Sequence, residues 1–324
     1  MFRLTVLLYF LVYVYLGTLT TFGVAGNKEK LVTVKDKFKL PSDDLMPFVG
    51  FGTYKVKGDD LIFKLLDYAL AAGYRLIDTA QYYENEESIG QALKVLLPKY
   101  NLTRKDIFIT TKLLSTKLGE ADVYQSIEKS VKNLGYDYVD LFLIHFPGLP
   151  SRDNTTNPKN DSVLRDETWQ VMVRAVKDGL VRNIGVSNYL VHHLKELLEN
   201  DHGIKPGVNQ LEWHPGYHPA GLLELCKQEG ILLQAYGSLG GTGRANVLLK
   251  RPEVVKIAEK LKKTPAQILL RWALQQKIGI IPKASSEDRI KQNMDLDFII
   301  PEEDMRALLS FEQKHNSWNS GNIQ

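Results

Sequence analysis

The chain is expected to fold as a closed barrel of eight parallel strands with helices outside, a single (β/α)8 TIM barrel of the α/β class, with an N-terminal β-hairpin covering its bottom. Three observations lead there. From Phe48 onward, short apolar runs alternate with longer amphipathic ones, eight times over, the pattern of βα units laid end to end. At 324 residues, 44% of them hydrophobic, the chain is long enough to close such a barrel, which needs about 250 residues. Three apolar runs also end in reactive side chains: Asp78 with Tyr83 just beyond it, Lys112, and His145. The strand C-termini of a barrel converge on one face, where catalytic loops gather. A doubly wound open sheet would alternate strand and helix as well; the count of eight favours closure.

Taken in order, residues 31–40, Leu-Val-Thr-Val-Lys-Asp-Lys-Phe-Lys-Leu, alternate with a period of two. They read as the hairpin, or alternatively as a flexible arm. The first barrel strand, 48–51, leads to a helix at 60–72, and the second, 75–77, to one at 85–97. Ile107-Phe-Ile-Thr-Thr-Lys112 supplies the third strand, at 107–111, and Tyr138-Val-Asp-Leu-Phe-Leu-Ile-His145 the fourth, at 138–144; helices follow at 120–134 and 167–177. Strands at 183–186 and 208–211 precede helices at 190–200 and 220–229. Strand 232–236 precedes a helix pair at 252–262 and 265–276, and strand 279–281 precedes a helix at 286–293.

No linker, low-complexity tract or repeat divides the chain. Residues 1–25 are read apart from the barrel domain, 26–324. They carry one charge, Arg3, ahead of the apolar run 4–16, with small residues Gly23 and Ala25 suited to cleavage. That composition reads as a secretory signal peptide, or as an uncleaved anchor, since 4–26 is long enough to span a bilayer. The expected address is the secretory pathway, in the endoplasmic reticulum lumen or outside the cell, with membrane attachment as the alternative. Three N-glycosylation sequons, at Asn101, Asn154 and Asn160, agree with that address, and could equally be plain surface loops.

The formal charge of +3 is small, and Lys and Glu interleave along the helices, which argues against nucleic acid as a partner. One cysteine, Cys226, excludes an internal disulfide and reads as a small core residue. Nothing in the chain implies a metal, and a monomer is expected.

Each reactive residue has a plain explanation when taken alone. Asp78 could cap a helix, Tyr83 could be a half-buried core phenol, Lys112 could be solvated, and His145 could hydrogen-bond a loop. All four at barrel strand ends point instead to chemistry. A phenol, with an ordinary pKa near ~10, holds its proton at neutral pH and acts as a general acid if a cation stabilises the phenolate left behind. Lys112 is that cation, Asp78 would fix it in place, and a neutral His145 would orient the substrate oxygen. At the chain's other end, Lys283 closes a strand, Ser285 or Ser286 starts a helix and Arg289 follows one turn in. A helix start with two cations suits a dianionic phosphate.

The segments Asp78-Thr-Ala-x-x-Tyr83, Thr111-Lys-Leu and Leu143-Ile-His-x-Pro147 resemble the aldo-keto reductase family, and the likeness runs from about Val32 to the C-terminus. The resemblance implies Asp78, Tyr83, Lys112 and His145 as a catalytic tetrad. It also implies reversible hydride transfer between NADPH and a carbonyl carbon, with Tyr83 delivering the proton to oxygen. It further implies that Ser187, Asn188 and Gln210 hold the nicotinamide amide and that Tyr236 stacks on its ring. Ser238, Leu239 and the glycines at 240–243 would pass over the pyrophosphate, and Lys283, Ser285, Arg289 and Asn293 would contact the adenosine end. Read alone, Ser187-Asn188 is a helix cap and Tyr236 a core aromatic. Two residues depart from the family pattern: Ala284 and Gly237 both stand where serine is frequent. Tyr54, His145 and Phe146 are the implied substrate contacts, suited to an apolar or amphipathic aldehyde or small ketone.

The expected activity is therefore NADPH-dependent reduction of aldehydes or ketones to alcohols. The alternative is an NADPH-binding regulatory or structural subunit with little turnover. A barrel hydrolase would lack a well-matched second carboxylate and leave the Lys283–Arg289 phosphate site unexplained.

Overall fold

The computed structural model describes residues 31–114, 118–148, 161–241 and 247–314. All secondary structure among them falls in the unit Val32–Gln324.

Two short strands, β1 (Lys37–Lys39) and β2 (Leu45–Pro47), pair antiparallel with Phe38 opposite Met46. Eight parallel strands follow: β3 (Phe51–Gly52), β4 (Leu76–Asp78), β5 (Phe108–Leu113), β6 (Val139–Ile144), β7 (Val181–Ser187), β8 (Val208–Glu212), β9 (Leu232–Tyr236) and β10 (Gly279–Ile280), neighbours in that order. The last also meets the first. Val49 bridges Ile280 in parallel, the Ile280 N–H donating to the Phe48 carbonyl at 2.7 Å and the Gly50 N–H to the Ile280 carbonyl at 2.8 Å. The sheet closes on itself, and the (β/α)8 barrel with its hairpin is as expected.

The helices are α1 (Asp59–Ala71), α2 (Glu86–Lys99), α3 (Glu120–Leu134), α4 (Asp161–Lys177), α5 (Val191–Glu199), α6 (Leu222–Glu229), α7 (Pro252–Leu261), α8 (Pro265–Gln275), α9 (Glu287–Gln292) and α10 (Glu302–Leu309). Every residue of β5 and β6 is buried, because one face of each strand fills the barrel and the other lies under helices. Cys226 is buried and free, a core residue of α6 whose thiol burial pushes up to about 12.

The hairpin lies across the barrel bottom. Asn183 and Asp140, near the starts of β7 and β6, anchor its turn: Ser42 Oγ donates to Asn183 Oδ1, and Asn183 Nδ2 donates to Asp44 Oδ2 at 2.8 Å and to the Asp140 carbonyl at 3.0 Å. The C-terminal ends of the barrel strands lie on the opposite face.

Four elements differ most from expectation. The hairpin is formed by Lys37–Lys39 and Leu45–Pro47, whereas residues 31–40 alone were the expected hairpin and hold only its first strand. The first barrel ladder is Phe51–Gly52 and not 48–51, because the chain from Phe48 to Gly50 instead pairs with Ile280. Glycine permits that close approach: a Cβ on Gly50 would lie 2.1 Å from the Leu76 side chain, and one on Gly52 2.7 Å from the Ile281 carbonyl. Helix α4 already includes Asp161, the first described residue after 148 and six residues ahead of the expected 167. Helix α10 was not expected at all; its acidic first turn leaves only Met305 and Leu308 buried.

Gly90, inside α2, tests the packing. In an isolated helix Gly→Ala would stabilise by about 1 kcal/mol. Here the added methyl would stand 2.2 Å from the Leu134 carbonyl oxygen, with backbone atoms at 2.6 and 2.9 Å behind it. Overpacking of about 1–3 kcal/mol or more should win, so Gly90→Ala should lower the denaturant midpoint; a raised midpoint would show that α2 and α3 can separate freely.

Candidate active site

Three strand ends bring the reactive side chains together. β4 ends on Asp78, and a 3-10 turn at Gln81–Tyr83 follows, closed by Glu84 in the left-handed region at φ 56°. Gln81 fastens this turn. Its Nε2 donates to the Ser126 carbonyl at 2.8 Å and to Ser130 Oγ at 2.9 Å on α3, while its Oε1 accepts the Leu114 N–H at 2.8 Å. The phenol of Tyr83 is thereby tied to the end of β5, the strand that carries Lys112. Asn85 secures the other side: its Oδ1 accepts from Thr79 Oγ1, and its Nδ2 donates to the carbonyls of Thr53 and Val56, both at 3.1 Å. That loop holds Tyr54.

Lys112 is at the centre, 1% exposed. Its Nζ donates to Asp78 Oδ1 at 2.8 Å, to the Thr79 carbonyl at 2.7 Å and to the Tyr83 hydroxyl at 3.3 Å. Three acceptors match the three N–H bonds of an ammonium, so the geometry is that of charged lysine. Asp78 Oδ2 accepts from Gln210 Nε2 at 2.7 Å, a bond that crosses the barrel from β8 to β4. Burial pushes the Asp78 carboxyl up and the Lys112 ammonium down, and their mutual contact pulls each back toward its charged form.

Tyr83 sits well above the usual phenol value, raised by burial and then by the Asp78 charge. The hydroxyl therefore keeps its proton, and because Lys112 donates to its oxygen, that proton points elsewhere. His145 is held down to about 3 by burial and by the Lys112 charge, a neutral imidazole edge-on to the Tyr83 ring with centroids 6.0 Å apart. Tyr54 lies 5.1 Å from the Tyr83 ring on one side, and Phe146 stacks on His145 at 5.2 Å on the other. The six residues expected at the catalytic and substrate positions lie in one cluster: Asp78, Tyr83, Lys112 and His145, with Tyr54 and Phe146 as its aromatic walls.

The ends of β7, β8 and β9 adjoin it. Asn188, at φ 65°, donates from Nδ2 to the His145 carbonyl at 2.8 Å and to Ser187 Oγ at 3.1 Å, and its Oδ1 accepts from the Tyr236 hydroxyl at 2.7 Å. Its own N–H donates to the Gln210 carbonyl at 2.9 Å. Ser187, Asn188 and Gln210 are buried, while Tyr236 is half-buried. Ser238 is buried, Leu239 is partly so, and the chain turns at Gly237 and Gly240 with φ of 61° and 102°. The positive φ at Gly237 explains why glycine suits this position where the family often has serine. Residues 242–246 lie outside the described ones, and with them the last two positions of the glycine-rich loop.

Around β10, Lys283, Ser285 and Arg289 are exposed, and Lys283 and Arg289 enter no ion pair among the described residues. Asn293 is buried and closes α9, its N–H donating to the Arg289 carbonyl. The helix is a six-residue one, capped by Ser286 without a side-chain bond and acidic at Glu287 and Asp288, so the two cations, and not the helix start, are its anion-attracting feature.

Sequence reading missed Gln81, which stands inside the motif that named Asp78 and Tyr83, and Gln234, a polar residue within the buried strand Leu-Leu-Gln-Ala-Tyr. It also missed Glu212, the last residue of β8, and His214 just after it, both buried and 2.9 Å apart. In each case the signal was an amide or charge inside an apolar run. No group of metal-binding side chains occurs among the described residues.

A family model described as the aldo/keto reductase family matches residues 49–312. Glyoxal reductase of Bacillus subtilis (strain 168) is 39% identical over 84% of this chain and 91% of its own length. Aldo-keto reductase family 1 member A1 of Gallus gallus is 38% identical over 83% and 86%. Among solved structures, MGS-M4, an aldo-keto reductase enzyme from a Medee basin deep-sea metagenome library, superposes with a TM-score of 0.78 at 37% identity, covering 88% of this chain and 98% of that one.

These relatives overturn the expected secretory-pathway address and its membrane-anchored alternative. The likeness is carried by 49–312, whereas the address rested on the composition of 1–25, and an apolar run with small residues after it is a compositional signal only. Among the described residues no helix is long and apolar enough to cross a membrane. Of the sequons, Asn101 is exposed at φ 54°; Asn154 and Asn160 lie outside the described residues, as do 1–25.

Proposed function

From the premise that the chain belongs to the aldo/keto reductase family, we propose that it reduces small aldehydes or ketones to alcohols with NADPH, Tyr83 being the proton donor. The observation that carries this reading is the ammonium of Lys112, set between the Asp78 carboxylate and the Tyr83 hydroxyl. Bound NADPH would supply a hydride to the carbonyl carbon. Tyr83 gives its proton to the oxygen, so that hydride and proton together make the alcohol. The phenolate that remains already faces an N–H of Lys112, and Asp78 keeps that ammonium charged and aimed. His145, neutral by burial, orients the substrate oxygen, and Tyr54 and Phe146 supply apolar walls.

The residues present fit the cofactor. Ser187 Oγ accepts from Asn188 and keeps its own proton to donate, while Gln210 keeps its carbonyl oxygen as an acceptor; together they complement a carboxamide. Tyr236 offers a ring beside them. Ser238 and Leu239 would follow the pyrophosphate, and Lys283, Ser285, Arg289 and Asn293 would meet the adenosine end, where the exposed cations suit a 2′-phosphate. The protein acts as a monomer on small carbonyl compounds, without nucleic acid.

The experiment is NADPH consumption by purified protein against aldehydes, dicarbonyls, ketoses and ketones, dicarbonyls being included because a relative is named glyoxal reductase. Turnover supports the reading, and tight NADPH binding without turnover on any of them would favour a regulatory subunit instead. Lys283→Ala and Arg289→Ala should each raise the NADPH Kd about tenfold, the size of one charge-assisted hydrogen bond, and leave NADH binding almost unchanged. Equal losses for the two cofactors, by calorimetry, would remove the phosphate assignment.

A further inference from the structure

The upper layer of the barrel holds a hydrogen-bond chain whose direction is set at one end. An ionised carboxylate only accepts, so the amide nitrogen of Gln210, and not its oxygen, faces Asp78 Oδ2 at 2.7 Å. The second proton of that nitrogen goes to Gln234 Oε1 at 2.8 Å. Gln210 and Gln234 are register partners on β8 and β9, and Gly279 of β10 is the partner of Gln234 on its other side.

Gln234 is completely buried. A Cβ on Gly279 would lie 3.3 Å from its Cγ, so the side chain lies against bare backbone of β10 with little room to swing. Its own Nε2 finds no hydrogen-bond partner, and a buried unpaired donor is costly. The amide nonetheless keeps this orientation, since a flip would set its nitrogen against the nitrogen of Gln210, donor against donor.

We infer that Gln234 is a positioning residue that locks the Gln210 amide, leaving Gln210 Oε1 as an acceptor dedicated to the amide nitrogen of the cofactor's carboxamide. The inference rests on the NADPH reading above. With Gln234 in place, both protons of the Gln210 nitrogen are committed inside the barrel, and only the oxygen is available to a ligand. Without it, the Gln210 amide is held only by its bond to Asp78 and can swing about that bond, so its oxygen is aimed less firmly and its preference for a donating ligand weakens.

The test uses full-length protein and two probes, NADPH and its reduced 3-acetylpyridine analogue, in which a methyl group replaces the amide nitrogen. Kd values are measured by calorimetry for wild type, Gln234→Met and Gln234→Glu. Wild type should prefer NADPH about tenfold, the equivalent of one hydrogen bond. Gln234→Met, similar in length but without the acceptor, should bring the two probes to within about threefold of one another. Gln234→Glu, which keeps an acceptor oxygen, should retain the preference. A space-filling role would weaken both probes alike, so an unchanged ratio in Gln234→Met overturns the inference and leaves the NADPH reading standing. If Gln234→Met does not fold, Gln234→Glu decides, and loss of the preference in that folded variant overturns it. Failure of wild type to bind NADPH overturns both readings.

Discussion

Tyr83→Phe should lose carbonyl reduction by about a thousandfold or more, the range that a positioned general acid contributes, while binding NADPH within about threefold of wild type. The change deletes one oxygen. What that oxygen does in the folded protein is accept a 3.3 Å hydrogen bond from Lys112, a long contact whose loss costs the fold little. The ring stays between Tyr54 and His145, whose centroids lie 5.1 and 6.0 Å from it. Stability and cofactor affinity therefore separate from catalysis. Single-turnover measurements with saturating NADPH make the comparison, and a phenylalanine variant that keeps most of its turnover would eliminate Tyr83 as the proton donor.

Lys112→Met should damage both turnover and fold. Asp78 would lose the cation bound to Oδ1 and stay 2% exposed, with only the Gln210 bond on its second oxygen. Breaking a buried ion pair by removing one partner typically costs about 3–5 kcal/mol. The cost should depend on pH in a definite direction. Burial already raises the Asp78 carboxyl above its ordinary value, and without the ammonium it rises further. A carboxyl whose folded value exceeds its unfolded one binds its proton more readily in the folded state, so its stabilising contribution is present at acid pH and lost as pH rises through the folded value. The stability gap between Lys112→Met and wild type should thus be smallest in acid and widen toward neutrality. Denaturant melts across that range decide it; a gap independent of pH would mean that Asp78 is not left charged and buried.

The fold was legible because eight apolar runs and their helices each obey local rules. What escaped was set by distant partners. The brief ladder of β3 depends on glycines 50 and 52 meeting Leu76 and Ile281, contacts that no window around Phe48 contains. Period-two alternation at 31–40 betrayed one strand of the hairpin, but Leu45–Pro47 is too short to show a period. At the site, Asp78, Lys112 and His145 were readable because each closes an apolar run, and Tyr83 because it follows Asp78 by five residues. Gln234 and Gln81 were not, because their work is to hold other residues, and a holding residue is recognised only by what it touches. The N-terminal composition misled for the opposite reason: it is a purely local signal, and it lies outside the matched residues 49–312.

The junction of Val49 with Ile280 also governs when the protein comes into being. Its two sides are about 230 residues apart in the chain, the kind of long-range pairing that slows folding because loop-closure entropy is lost before contact is gained. During synthesis the earlier strands leave the ribosome first and can pair in sequence, yet the ring stays open until Gly279 and Ile280 arrive. Lys283 and Arg289 arrive with them. The strands that carry Asp78, Lys112 and His145 are thus made well before the residues that close the ring, and the barrel's last ladder is available only when synthesis is nearly complete.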